Sequence, residues 1–153
     1  MVLASMYIRF VSSHLHATAN ANLGMFTARD SMDFSDLKGS LQKAHEEAWI
    51  WFSPRGPGGL SFPRFTGKAR TSNVRKSLYW FKEDASFWGY GKGSVIRRAR
   101  ELAKSVTDSG TEIKEIKSKN PGEIIWSDSD QILALPGSGQ SFYAFPQNKT
   151  PLS

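Results

Sequence analysis

The sequence predicts an α+β fold: an antiparallel sheet of about four strands, with two main helices packed on one face. Three observations carry this. The chain opens on a β-rich segment, its middle holds two stretches with apolar residues three and four apart, and from Thr111 onward the apolar period shortens towards two. Strands and helices are thus grouped in blocks and do not alternate as a parallel βαβ array would require.

Taken in order, Met6-Tyr7-Ile8-Arg9-Phe10-Val11 reads as the first strand, and Met6 itself is an alternative start to Met1. Residues 14–22 are small and polar and read as a loop, with a short helix over 23–29. Residues 35–52 predict a helix whose stripe is Leu37, Leu41, Ala44, Ala48 and Phe52, widened by Trp49 and Trp51. Ser35 is placed to cap it, and Pro54 stops it. Residues 54–76 form a long Gly/Pro-rich basic loop. A short strand is expected over 77–82, then a helical turn over 83–88 and a Gly-rich break at 89–93. The helix over 94–109 carries Val95, Ala99, Leu102 and Val106 on one stripe, with Ser94 as N-cap and Gly110 as terminator. Segments 111–117, 123–127 and 131–135 read as a three-strand meander, with Asn120-Pro121-Gly122 and Asp128-Ser129-Asp130 as its turns. Residues 1–136 make one domain. Residues 137–153 read as a poorly ordered Gly/Ser/Pro-rich tail, in which Phe142, Tyr143 and Phe145 are placed to fold back onto the domain or a partner.

Several short pieces of this order resemble a group of small, uncharacterised bacterial proteins. They are the opening Met6-Tyr7-Ile8-Arg9-Phe10-Val11, Tyr79-Trp80-Phe81-Lys82 before a helix, Pro121-Gly122-Glu123-Ile124-Ile125 between strands, and Asp130-Gln131 with Ala134 and Pro136. The longer basic loop and the tail depart from that group. The resemblance implies a compact α+β unit and no particular chemistry.

The functional signal is charge. Between residues 53 and 82 stand seven basic side chains and no acidic one: Arg55, Arg64, Lys68, Arg70, Arg75, Lys76 and Lys82. The whole chain has a formal charge of +6, so the remainder is close to neutral at −1. Phe62, Phe65, Tyr79, Trp80 and Phe81 share the window. Clustered cations interleaved with aromatics are what a surface meeting a polyanion needs. Arg55, Arg64, Lys68, Arg70, Arg75 and Lys76 would neutralise phosphates and Phe62 and Phe65 would stack on bases, while Trp80 and Phe81 read as core. Lys92, Arg97 and Arg100, with Lys104, extend the surface if their helix lies beside the loop. The expected partner is nucleic acid or an acidic protein surface, in the manner of a phage or mobile-element accessory or inhibitor of nucleic-acid machinery.

Two other classes compete. A metal-independent ribonuclease would use Arg97, Arg100, Tyr90 and Lys92 to hold RNA and stabilise the cleaved phosphate. A structural protein would assemble through its aromatics and tail, giving a homo-oligomer.

The remaining motifs are weak. Gly89-Tyr90-Gly91-Lys92-Gly93-Ser94 precedes a helix, but Gly93 separates Lys92 from Ser94, so it is not a phosphate-binding Walker loop. His14-Leu15-His16 with His45 lacks metal-site spacing. His16-Ala17-Thr18 has no second copy of a two-histidine phosphoesterase motif. Asp128 and Asp130 lack the glycine and distal glutamate of a calcium loop. No cofactor and no metal is expected. The absence of cysteine removes thiolate chemistry, and no apolar run approaches the roughly 20 residues that span a bilayer. A cytoplasmic location fits both.

Overall fold

A computed structural model of the chain describes residues 6–32, 37, 39–52, 67–86 and 91–145. Its sheet has six strands: β1 Tyr7–Leu15, β2 Asn22–Gly24, β3 Leu78–Lys82, β4 Ile113–Ser118, β5 Glu123–Ser127 and β6 Gln131–Leu135. Among the described residues four helices accompany them: α1 Met25–Asp30, α2 Gly39–Ile50, α3 Ser72–Lys76 and α4 Ser94–Asp108. A 3-10 turn, Gly67–Ala69, precedes α3. The α+β class and the antiparallel pairing are as expected, but six strands replace about four.

One added strand lies where the segment read as a loop meets the helix expected over 23–29, which instead begins at Met25. Asn22 and Gly24 pair with Leu15 and Val11, because the loop closes tightly enough for the chain to return beside β1. The three-strand meander is also corrected. β5 and β6 form a hairpin, whereas β4 pairs antiparallel with β1 over six consecutive positions, from Tyr7↔Ser118 to Ser12↔Ile113. A turn-rich connection between two segments fixes their proximity, not their partnership. Here β1 is fully buried at its centre and offers the better ladder.

β1 has three partners but only two edges. β4 runs along Tyr7 to Ser12, overlapping both β3 at Tyr7–Ile8 and β2 at Val11. β4 therefore occupies one edge, and β2 and β3 divide the other. The fork between them is closed by Arg9, whose Nη1 donates to the Tyr79 carbonyl at 3.0 Å and whose Nη2 donates to the Asn22 carbonyl at 2.9 Å.

The lateral order is then β4-β1-β3-β6-β5, with β2 wedged beside the far half of β1. Four residues, 119–122, connect the two outer strands. Five residue steps reach at most about 18 Å, while four interstrand spacings alone sum to about 19 Å in a flat sheet. β4 also ends level with Tyr7, whereas β5 starts beside Leu135 at the opposite end. The sheet must therefore curl. Its concave side holds a cluster in which Ile116 of β4 and Ile132 of β6, with two strands between them, join Trp80, Ala21, Leu78, Ala134 and Phe142. The start of the tail belongs to this cluster: the Phe142 ring stands edge-on to Trp80 at 5.0 Å. Residues 146–153 lie outside the described part.

The other face carries the larger core. Ile8, Phe10 and Phe81 meet Val95, Ile96, Ala99, Leu102 and Val106 of α4, Met25 at the start of α1, and Ala48 and Phe52 from the α2 region. The α4 stripe is the predicted one, but its N-cap is Gly93 in a left-handed conformation (φ +77°), and Ser94 is buried in the first turn. No side-chain cap is needed there, since the Ser94 and Val95 N–H groups donate to Gly91 and Ala85 carbonyls. On α2 the predicted stripe is rotated. Leu41 is 41 % exposed and His45 faces inward at 4 %. His45 tolerates burial because both ring nitrogens find partners. The turn expected over 83–88 is seen at its start, where Ala85 N donates to the Lys82 carbonyl; its last two positions, 87 and 88, and the expected cap Ser35 lie outside the described residues.

Candidate functional site

The described part of the basic window begins at Gly67. Arg55, Phe62, Arg64 and Phe65 lie outside it. Lys68 sits in the 3-10 turn, Arg70 follows it, and Arg75 and Lys76 form the last turn of α3. All four side chains are exposed, and among the described residues none forms an ion pair.

Local chemistry holds this segment in place. Thr71 is the N-cap of α3, its Oγ1 accepting from Val74 N at 3.3 Å. Basic residues at the C-terminal turn complement the helix dipole. Ser77 closes the helix by donating to the Val74 carbonyl at 2.6 Å. The Thr18 hydroxyl donates to the Arg75 carbonyl at 2.6 Å, tying α3 to the β1–β2 loop. That loop is itself organised by His16, whose Nδ1 accepts from Thr18 N at 3.2 Å and Ala19 N at 3.0 Å. His16 is thus a loop brace, and its pKa is lowered by burial and by the charge of Arg9.

The rest of the window divides. Trp80 and Phe81 are core residues, as expected, on opposite faces of the sheet, and Tyr79 packs beside Phe81. Lys82 donates from Nζ to the Asp128 carbonyl at 2.6 Å, at the far end of β3 from α3. The aromatics Tyr79, Trp80 and Phe81 are therefore not available to stack on bases.

The second set of cations does not join the first. The N-terminal turn of α4 is fastened to Ala85, just beyond β3, so Lys92 and Arg97 flank one end of that strand while Arg75 and Lys76 precede the other. The strand between them spans about 13 Å. Arg100 lies farther along α4 and is held by Glu115 of β4, through Nε at 2.8 Å and Nη2 at 3.0 Å. Its hydrogen bonds and charge hold the Glu115 carboxyl below its ordinary pKa, with Lys117 adding to the effect. Lys104 pairs with Asp108 at 2.7 Å. A forked guanidinium–carboxylate pair is geometrically satisfied, which takes Arg100 out of the set expected to meet a partner. Tyr90 lies outside the described residues. The Gly-rich turn before α4 offers little to an anion, because its Ser94 and Val95 N–H groups are already bonded.

Other candidate chemistry resolves into structure. Asp128 Oδ1 accepts from Asp130 N and Gln131 N at 2.8 and 2.9 Å, and Asp130 Oδ1 accepts from Ser86 N at 3.1 Å, so both serve the β5–β6 turn. Among the described residues no cluster of three or more His, Cys, Asp or Glu is placed to hold a metal. An open groove of about 490 Å³ between α2 and α4 is lined by Ala44, Ile50, Trp51, Arg98, Glu101 and Ser105, among others. The Arg98 guanidinium covers the Trp51 ring at 3.6 Å and pairs with Glu101 at 3.0 Å, so its charge is turned into the wall.

Sequence reasoning missed a buried polar trio. His45 Nδ1 lies 3.0 Å from Ser105 Oγ, and Arg29 Nε and Nη2 both lie 3.2 Å from His45 Nε2. A guanidinium only donates, so Nε2 is the acceptor and Nδ1 carries the proton, which it donates to Ser105. That tautomer cannot take the Ser105 proton, and the trio is not a nucleophile–base pair. Burial, then the Arg29 charge, lowers the His45 pKa. An unfolded histidine protonates at about pH 6.5. The stability His45 provides is therefore complete above that pH and is lost as pH falls towards its lower folded value. His45→Gln should flatten the decline of urea midpoint between about pH 7 and 5. A variant with the wild-type slope would show that His45 is not held neutral. Glu115 acts lower: its contribution is present above about pH 4.3 and is lost on further acidification.

Arg9 and Asn22 were also missed. Arg9 is 4 % exposed inside a strand, and Asn22 is buried where a solvated loop was expected. No helix among the described residues is long and apolar enough to cross a membrane. No family model, curated protein or solved structure matches this chain.

Proposed function

We propose that this chain is a non-catalytic binding protein whose residues 68–76 engage the phosphate backbone of a nucleic acid. One observation supports the reading above others. Lys68, Arg70, Arg75 and Lys76 are exposed within nine consecutive positions, and among the described residues no carboxylate pairs with them. Surface cations elsewhere are in several cases matched, as Arg100 is by Glu115 and Lys104 by Asp108. Unmatched charge raises the local concentration of a polyanion and steers its approach. With Tyr79, Trp80 and Phe81 committed to the interior, the described face favours contact with phosphates over base stacking. An accessory or inhibitory role on nucleic-acid machinery, in the cytoplasm, is the biological form of this proposal.

The test is the joint charge reversal K68E/R70E/R75E/K76E, measured against duplex DNA and RNA across a salt series. Four phosphate contacts give a log–log salt slope of about −3.6, or roughly a hundredfold loss of affinity between 50 and 200 mM salt. The variant should lose both the affinity and most of the slope. Wild-type affinity and slope in the variant would overturn the proposal. If the wild type captures a protein after nuclease treatment, and the variant does not, the partner is an acidic protein surface.

A further inference from the structure

We propose that the concave face of the sheet holds an oxyanion-binding site, formed by the Arg9 guanidinium and the Trp80 indole N–H and covered by residues 142–145. The site is separate from the residues 68–76 face and does not rest on the reading given for it.

Arg9 is buried as a whole positive charge, yet its two hydrogen bonds go to neutral carbonyls, those of Tyr79 and Asn22. Among the described residues no carboxylate pairs with it. Such a charge is costly unless something negative compensates it. Burial pulls the guanidinium pKa down to about 10. Two further donors on this face, Arg9 Nε and Trp80 Nε1, are buried and meet no acceptor among the described residues. They are neighbours: the register Tyr7↔Lys82, Ile8↔Phe81, continued by one position, sets Arg9 opposite Trp80. A carboxylate or phosphate group supplies what both lack, a negative charge and several lone pairs. A backbone carbonyl could satisfy a donor but not the charge.

The cover is built to be separable. Phe142 packs edge-on against Trp80, its N–H donates to the Asn20 carbonyl at 2.8 Å, and Asn22 Oδ1 accepts from Ala144 N at 2.8 Å and Phe145 N at 3.3 Å. Apart from an isolated bridge between Ala21 and Phe142 it adds no strand to the sheet. A link containing Gly137 and Gly139, the latter at φ +82°, joins it to β6. Lifting residues 142–145 exposes Trp80 and opens the way to Arg9.

The test follows the Arg9 Nε–H and Trp80 Nε1–H resonances of the ¹⁵N-labelled full chain. Sodium acetate and sodium phosphate are titrated separately at constant ionic strength. Saturable shifts at both resonances are expected with at least one anion, acetate marking a carboxylate ligand and phosphate a phosphorylated one. Phe142→Ala should bind about tenfold more tightly, because a larger fraction of molecules is open. Asn22→Asp, which places a carboxylate beside the guanidinium and keeps the acceptor for residues 144 and 145, should abolish the response. Shifts that rise without saturation mark an adventitious ion only and overturn the proposal. So does silence in both the wild type and Phe142→Ala, or a response unchanged in Asn22→Asp.

Discussion

Replacing Trp80 with alanine should cost roughly 3–5 kcal/mol, the range for truncating a buried large aromatic. Trp80 is wholly buried on a strand with neighbours on both sides, β1 and β6, and is the largest side chain of the cluster that it shares with Ile116, Ile132, Ala134 and Phe142. The site collapses poorly because its walls are a paired sheet, whose backbone cannot close inward without breaking ladders. Domains of this size hold about 5–15 kcal/mol in total, so the variant should unfold at far lower urea, followed by far-UV circular dichroism. Trp51 is the internal comparison. It lies at the groove between α2 and α4 beneath Arg98, partly exposed, and Trp51→Ala should cost about 1 kcal/mol, near the value of an exposed cation–π contact. Equal costs at the two positions would mean that the concave face is not organised around Trp80.

The contrast between these tryptophans shows where the sequence was legible. Local periodicity was decisive for α4, whose buried stripe follows the spacing of Val95, Ala99, Leu102 and Val106, and for β5 and β6, whose limits coincide with the apolar segments between turn residues. Long-range pairing was not legible. Nothing in Ile113-Lys114-Glu115-Ile116 says that its partner is Phe10 and not Ile125, because a strand's sequence specifies a face and not a neighbour. The second core was hidden for a related reason. Ala21 and Ile116 come from a loop and an edge strand, each unremarkable until the sheet curls, and the tail's aromatics pointed to a fold-back without saying which residue it would cover. For the site, the charge cluster was read directly, and its members 68, 70, 75 and 76 are exposed together. Arg100 could not be separated from them, since its partner Glu115 stands on another element, fifteen residues away.

That curl makes the second large prediction. Gly122→Ala should destabilise by about 3 kcal/mol or more, beyond the roughly 1–3 kcal/mol of a strained backbone alone. Gly122 has φ +107°, and an added Cβ would stand 2.2 Å from the Leu135 carbonyl oxygen and 2.8 Å from its carbon. Both are backbone atoms of β6 and cannot swing aside as a side chain does. The 119–122 link must either lift off β6 or break the Glu123↔Leu135 pair that starts the hairpin. Gly139 separates the two contributions, since it has φ +82° and nothing within 4 Å of its would-be Cβ. Gly139→Ala carries conformational strain alone and should cost about 1 kcal/mol, or roughly 2–4 °C in melting temperature. Thermal melts of the two variants therefore isolate the clash. If they fall by the same amount, the link does not run against the end of β6. The five-step connection between the outer strands would then need another path, and the concave face would lose its geometric basis.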